Sequence, residues 1–155
     1  MDFSLPKKII FQCSLNIKPE RYQRVRSRIV KSSKAGGKLF KIHTYNPNSY
    51  SAYKSSLHYT LKKHQPPLSD GPIILSILFR KAPPASFSAK KRLELINNHT
   101  SIVTKIDIDN FLKAFNDAAQ GACMLDDVQI IGLESIYKRY AEEDGIDLVI
   151  YSPIL

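Results

Sequence analysis

A chain of 155 residues, 43% of them apolar, has material for one ordinary core, so a single domain over residues 1–155 is expected rather than two. The formal charge of +9 makes a polyanion the leading partner class, though it says nothing about the fold. Cys13 and Cys123 stand in no Cys-x-x-Cys or Cys/His cluster, so neither a disulfide scaffold nor a zinc site is implied and a reducing compartment fits. The first residues lack the apolar core of a secretory signal, and no stretch is long enough to span a membrane. A cytoplasmic protein is expected, with no membrane partner and no organic cofactor.

The first predicted element is Ile9 to Ile17, where Ile9, Phe11, Cys13, Leu15 and Ile17 alternate with more polar residues, the period of a half-buried strand. From Lys18 to Lys41 come nine basic residues against Glu20 alone, a net +8 that is nearly the whole charge of the chain. Arg24, Arg26 and Arg28 alternate with Val25, Ser27 and Ile29, and Ala35-Gly36-Gly37 reads as a turn. An arginine-bearing hairpin or a mobile loop over about 24–41 is expected, ending at Thr44-Tyr45-Asn46-Pro47. Tyr50, Tyr53, Leu57 and Leu61 then space a helix over Ser49 to His64, with Asn48 or Ser49 as its cap and Pro66-Pro67 as its stop.

Pro72 to Phe79 is almost continuously apolar and reads as a central buried strand. Ser88 to Asn97 reads as a short basic helix, followed by a loop through Asn97-Asn98-His99-Thr100. A strand-like step from Ile106 to Ile108 leads into a helix from about Asp109 to Gln120, with Gly121 just past its end. Its apolar stripe is Phe111, Leu112, Phe115, Ala118 and Ala119, and the facing stripe is Asn110, Lys113 and Asp117. A final hairpin is expected from Val128 to Tyr140 and Ile146 to Tyr151, turning at Glu142-Glu143-Asp144-Gly145. Strands and helices mix without strict alternation, which points to an α+β fold with a mixed sheet flanked by helices.

Asp107 and Asp109 stand two apart. In an extended segment both carboxylates would lie on one side, roughly 7 Å apart at Cα. That span suits oxygen ligands to one hard cation. Lys113, one helical turn beyond Asp109, could hold a phosphate or offset developing charge. Asp126-Asp127 adds acid before the last hairpin, and chain reversal through Gly121 could return it to Asp107. Taken singly, Asp109 reads equally as a helix cap, Asp109 and Lys113 as an exposed pair, and Asp126-Asp127 as a plain turn. Tyr50, Tyr53 and Phe115 read as core and His99 as a loop histidine. Together, an acidic cluster with one lysine inside a basic chain is what metal-assisted phosphodiester hydrolysis requires.

Pro84 to Tyr140 resembles the RusA family of Holliday-junction resolvases. The resemblance rests on Ser88-Ala89-Lys90-Lys91-Arg92, His99-Thr100, Lys105-Ile106-Asp107-Ile108-Asp109-Asn110-Phe111-Leu112-Lys113, Asp117, and Asp126-Asp127-Val128-Gln129-Ile130. Arg24-Val25-Arg26-Ser27-Arg28 and Thr44-Tyr45-Asn46-Pro47 are similar to the family's N-terminal half, with Lys31 to Leu39 as an insertion. Ile106 stands where the family usually has proline, a departure that loosens the local turn without removing a ligand. The resemblance implies a dimeric, metal-dependent endodeoxyribonuclease that nicks opposed strands of a four-way junction in DNA recombination and repair. It implies that Asp107, Asp109 and Asp127 bind magnesium, with manganese as a substitute, and that Lys113 is the catalytic lysine. Asn110, Asp117 and Asp126 would support them, and Arg24, Arg26, Arg28, Lys41, Lys90, Lys91 and Lys105 would contact DNA. A flap- or single-strand-preferring nuclease with the same site, and a non-catalytic branched-DNA-binding module, are the other readings.

Overall fold

The computed structural model describes residues 5–34, 37–102 and 107–154. Its strands are β1 (Lys7–Leu15), β2 (Arg26–Lys34), β3 (Gly37–Tyr45), β4 (Ile73–Lys81), β5 (Ile130–Tyr140) and β6 (Gly145–Pro153). Its helices are α1 (Asn48–Lys63), α2 (Ala89–Asn97) and α3 (Ile108–Ala119), with a single 3-10 turn at Asp127–Gln129. Four strands form one mixed sheet in the order β1-β6-β4-β5, while β2 and β3 form a separate antiparallel ribbon. The expected α+β class with a mixed sheet is what the chain adopts.

The most apolar strand, β4, takes a central place, antiparallel to β6 and parallel to β5. Parallel neighbours need a long crossover, and residues 82–129 supply it, carrying α2 and α3. Tyr50, Tyr53, Leu57 and Leu61 of α1, and Phe111, Ala114, Phe115, Ala118 and Ala119 of α3, are buried with the inner face of the sheet. Phe111 stacks on Phe79 of β4 at 5.1 Å between ring centroids. The periodicity thus found the buried stripe of α1 and most of that of α3, where Leu112 is only partly buried and Ala114 is fully so, and Tyr50, Tyr53 and Phe115 are core as expected. Gly121 has φ +71° and follows the extended Gln120 that ends α3, the glycine position of a tight turn closed by the Ala122 N–H donating to the Ala119 carbonyl at 2.9 Å.

Three expectations need correction. The last two strands do not form a hairpin, because β4 lies between them. Their short connection steps over the end of β4, where the Ala141 N–H donates to the Lys81 carbonyl at 3.0 Å and the Ala82 N–H donates to Asp144 at 2.9 Å. Val128 belongs to the 3-10 turn rather than to the strand. Helix α1 begins at Asn48 behind Pro47, whose carbonyl accepts from the Tyr50 and Ser51 N–H groups, so neither Asn48 nor Ser49 is the cap. Ser88 does cap α2, accepting from the Lys91 N–H at 3.3 Å.

Both cysteines are free thiols. Burial pushes Cys13 up to about 11 and Cys123 up to about 12, so both stay protonated at neutral pH. No helix among the described residues is long and apolar enough to cross a membrane.

Candidate active site

Helix α3 begins one residue earlier than the charge pattern suggests, and this changes the acidic pair. Asp107 is the extended N-cap residue (φ −68°, ψ 147°), while Asp109 already lies in the first helical turn. They are therefore not two same-side residues of a strand. The Asp107 side chain makes no capping hydrogen bond, and Asp109 sits inside the helix, so the reading of Asp109 as a cap falls. Both residues are exposed. Lys105 and Ile106, and with them the expected strand-like approach, lie outside the described residues.

Asp109, Lys113 and Asp117 follow at four-residue steps along α3, each step about 6 Å along the axis. Spacing alone would pair Lys113 with one of these carboxylates for roughly 0.2–0.5 kcal/mol. Among the described residues neither forms an ion pair with it. The Lys113 ammonium instead lies 4.0 Å from the ring centroid of Tyr22. Tyr22 is fixed to the same helix, its N–H donating to the Asn110 carbonyl at 2.9 Å. Its ring meets that of Tyr50 edge-on at 5.6 Å, and the Tyr50 hydroxyl donates to Asp117 Oδ2 at 2.7 Å. Burial, followed by this hydrogen bond, holds the Tyr50 phenol far above its ordinary value, so the phenol remains a donor. Asp117 thereby accepts the hydroxyl of a buried core tyrosine.

Asp126 and Asp127 ride on a turn that Gln129 pins down. Gln129 Oε1 accepts from the Leu125 and Asp126 N–H groups at 2.7 and 3.1 Å. Its Nε2 donates to the Ser69 and Gly71 carbonyls at 2.8 and 2.9 Å. Asp126 accepts from the Val128 N–H at 3.0 Å, completing a capping box. That N–H, and a hydrogen bond with Asp127, lower the Asp126 carboxyl. Asp127 is raised, first by the hydrogen bond shared with Asp126, then by slight desolvation and the charges of Asp126 and Asp117. The turn is therefore within electrostatic reach of Asp117. No group of three or more His, Cys, Asp or Glu side chains among the described residues is placed to hold a metal ion. Asp107, Asp109 and Asp127 are thus not gathered into one cage.

Replacing Gln129 with leucine removes four hydrogen bonds that join the acidic turn to the strand entry at Gly71. At roughly 0.5–1.5 kcal/mol each, with partial compensation by water, a loss of about 2 kcal/mol is expected. A urea titration showing no shift in midpoint would mean that the turn is held by something other than Gln129.

The basic segment folds as the hairpin form of the expected pair of choices. Facing residues share a side of a ribbon, and the register pairs Arg26 with Tyr45, Arg28 with His43 and Val30 with Lys41. One face thus gathers Arg26, Arg28, Lys41, His43 and Tyr45, with the Arg28 guanidinium 5.7 Å from the Tyr45 ring centroid. The other face carries Ile29 and Ile42, exposed at 72% and 75%. Arg24 lies just before the ribbon. Together with Arg21, Tyr22, Arg26, Pro47 and Asn110 it lines an open cleft of about 450 Å³. Asn110 is the neighbour of Asp109, so the arginine cleft opens beside the N-terminal turn of α3. Lys90 and Lys91 lie on α2, where Lys91 pairs with Glu94 at 3.3 Å.

A family model described as endodeoxyribonuclease RusA matches residues 18–151. The chain belongs to the RusA family. The match takes in the arginine ribbon, the cleft, α3 and the acidic turn. The chain is also similar to "Uncharacterized protein YqaN" of Bacillus subtilis (strain 168), 26% identical over 113 residues, which cover 71% of this chain and 79% of that protein. RusA membership identifies an endodeoxyribonuclease acting on Holliday junctions, and hence on branched DNA, in recombination. Tyr22, Tyr50 and Gln129 contact the candidate site residues, and none of the three was expected there from the sequence. Gln129 stands inside the acidic motif, and its position there was the one available signal.

Proposed function

We propose that this RusA-family chain resolves four-way junctions as a single-domain homodimer, by divalent-metal-dependent hydrolysis of one phosphodiester in each of two opposed strands. The observation that supports this best is the Asp109–Lys113–Asp117 stripe opening beside an arginine-lined cleft. Two equivalent sites suit a substrate with near two-fold symmetry.

The donor chemistry fits a hard cation. The candidate ligands are carboxylates only, oxygen donors of the kind a hard divalent ion takes. Magnesium is commonly held by one or two carboxylates together with waters and substrate phosphates, so a preassembled three-acid cage is not needed. Asp107, Asp109 and Asp127 would hold it, with manganese suiting the same oxygens. The bound ion supplies Lewis-acid polarisation of the phosphate and a more acidic water.

The chain's own groups do the rest. Arg26, Arg28 and Lys41 present charge along one face of the ribbon, Lys90, Lys91 and Lys105 extend the DNA-contacting set, and Arg24 leads the backbone into the cleft. Lys113 offers ammonium donors to the non-bridging oxygens of the scissile phosphate as charge builds there. Asn110 and Asp117 keep Tyr22 and Tyr50 against α3, and Asp126 shares the charge of Asp127. Arg26→Ala should weaken junction binding and reduce the slope of log affinity against log salt by about one unit. An unchanged slope would show that Arg26 does not contact the backbone.

The deciding experiment is cleavage of a synthetic four-way junction in magnesium or EDTA, by the native chain and by Lys113→Ala. Paired, symmetric, metal-dependent nicks that vanish in the variant support the proposal. Equal cutting of linear and branched DNA would instead indicate a less selective nuclease, and tight binding without nicks a junction-binding protein.

A further inference from the structure

We infer that Tyr22 is a positioning residue for Lys113, its ring face holding the ammonium away from the carboxylates that flank it. The inference rests on the reading of Lys113 as the group that meets the scissile phosphate. The spacing along α3 offers Lys113 a partner one turn back, Asp109, and another one turn ahead, Asp117. A lysine drawn onto Asp109 would neutralise a proposed metal ligand and commit its own donors to that carboxylate. Over the Tyr22 ring, at 4.0 Å, it is attracted by the π-face, which accepts no strong hydrogen bond. The charge and the N–H donors directed away from the ring stay available to an incoming phosphate.

The ring can do this because Tyr22 and its neighbour Tyr50 are both tied to α3. The Tyr22 backbone N–H is bonded to the Asn110 carbonyl, three residues before Lys113. Its ring abuts the buried Tyr50 ring at 88°. Tyr50 is in turn tied by its hydroxyl to Asp117, four residues beyond Lys113. The support therefore grips α3 on both sides of the lysine, as preorganised stabilisation of developing charge requires. Tyr22 also lines the same cleft as Arg21, Arg24 and Arg26, immediately ahead of the ribbon. The segment that meets the DNA backbone and the ring that places the lysine are one continuous stretch of chain.

The test separates the ring face from mere bulk. Position 22 is filled with phenylalanine and then with mono-, di- and trifluorophenylalanine, which keep the shape and progressively weaken the ring quadrupole. Single-turnover nicking of a four-way junction is measured in magnesium, and junction binding is measured in EDTA. Tyr22→Phe should nick within about threefold of native, since the hydroxyl takes no part in the cation–π contact. The rate should then fall stepwise with fluorination, and by about a hundredfold in Tyr22→Leu, with binding unchanged. In the free protein the Lys113 ε-methylene protons should be shifted upfield by the ring current, a displacement absent in Tyr22→Leu. A flat response to fluorination, a Phe variant as slow as the Leu variant, or binding lost in step with nicking would each overturn the inference. If Lys113→Ala nicks as fast as native, the catalytic reading of Lys113 fails instead. An inactive Lys113→Ala beside a flat fluorination series sinks only the role of Tyr22.

Discussion

Asp109→Asn is expected to abolish junction cleavage, by about 10³-fold or more, while junction binding in EDTA stays at native strength or tightens. The substitution keeps size and shape and removes one negative charge from the first turn of α3, beside Asn110 and the arginine cleft. Two opposing effects follow. On the proposed reading, loss of an anionic ligand would weaken the hold on a divalent ion, while loss of a negative charge beside the arginine cleft would lessen repulsion of phosphate. Cleavage depends on the first and metal-free binding on the second, so the two readouts should separate. The helix itself should tolerate the change, because Asp109 is not its cap. The favourable interaction with the helix dipole is worth at most about 1 kcal/mol at an exposed site. Gel-shift titration alongside nicking of the same labelled junction measures both quantities. Native-like cleavage would remove Asp109 from the ligand set, and lost binding would make it a structural residue.

The parts of this fold that periodicity reports were legible, and the parts that depend on neighbours in space were not. Tyr50, Tyr53, Leu57 and Leu61 marked the buried face of α1, and the apolar run from Ile73 marked β4, because burial imposes those spacings directly. The same logic recognised β5 and β6 as strands but paired them with each other. A turn signal fixes where a chain reverses and not what slides between its arms, and β4 occupies that gap. The alternation Asp107-Ile108-Asp109 resembled a strand because the first turn of a helix has no upstream turn to show its period.

The site divides in the same way. Asp-x-Asp-Asn with a lysine four residues beyond the second acid is a local pattern, and family membership covers it. The contact between Lys113 and Tyr22 joins residues far apart in sequence. Nothing in the run Glu20-Arg21-Tyr22-Gln23 announces it. Tyr50 was read as core, and it is buried, yet its hydroxyl also serves Asp117. A buried tyrosine needs a partner for its O–H, and this rule could have prompted a search for an acid without saying which. The arginine alternation at 24–28 gave one face of the ribbon, but Lys41 and His43 joined that face only through the register.

Phe111→Ala is expected to destabilise the fold by about 3–5 kcal/mol. Phe111 is fully buried, and its ring stacks on that of Phe79, itself fully buried in β4. Truncation removes both the transfer free energy of the ring and its contacts with the surrounding side chains. It leaves a cavity between α3 and a sheet whose position is fixed by β5 and β6 on either side of β4. Close collapse would require moving the helix, and the helix carries Asp109, Asn110 and Lys113. The loss is large against the 5–15 kcal/mol that holds a typical domain together. Phe111→Leu, which keeps most of the volume, should cost far less and should leave Lys113 over Tyr22. Urea denaturation of the two variants gives the free-energy difference, and nicking by the Leu variant under conditions where it is fully folded isolates geometry from stability. If alanine at 111 lowered stability by less than about 1 kcal/mol, relaxation would have filled the cavity, contrary to a rigid seat for α3. The same side chain therefore links the two levels of the molecule: the ring that closes the core under α3 belongs to the helix that carries Asp109, Asn110 and Lys113.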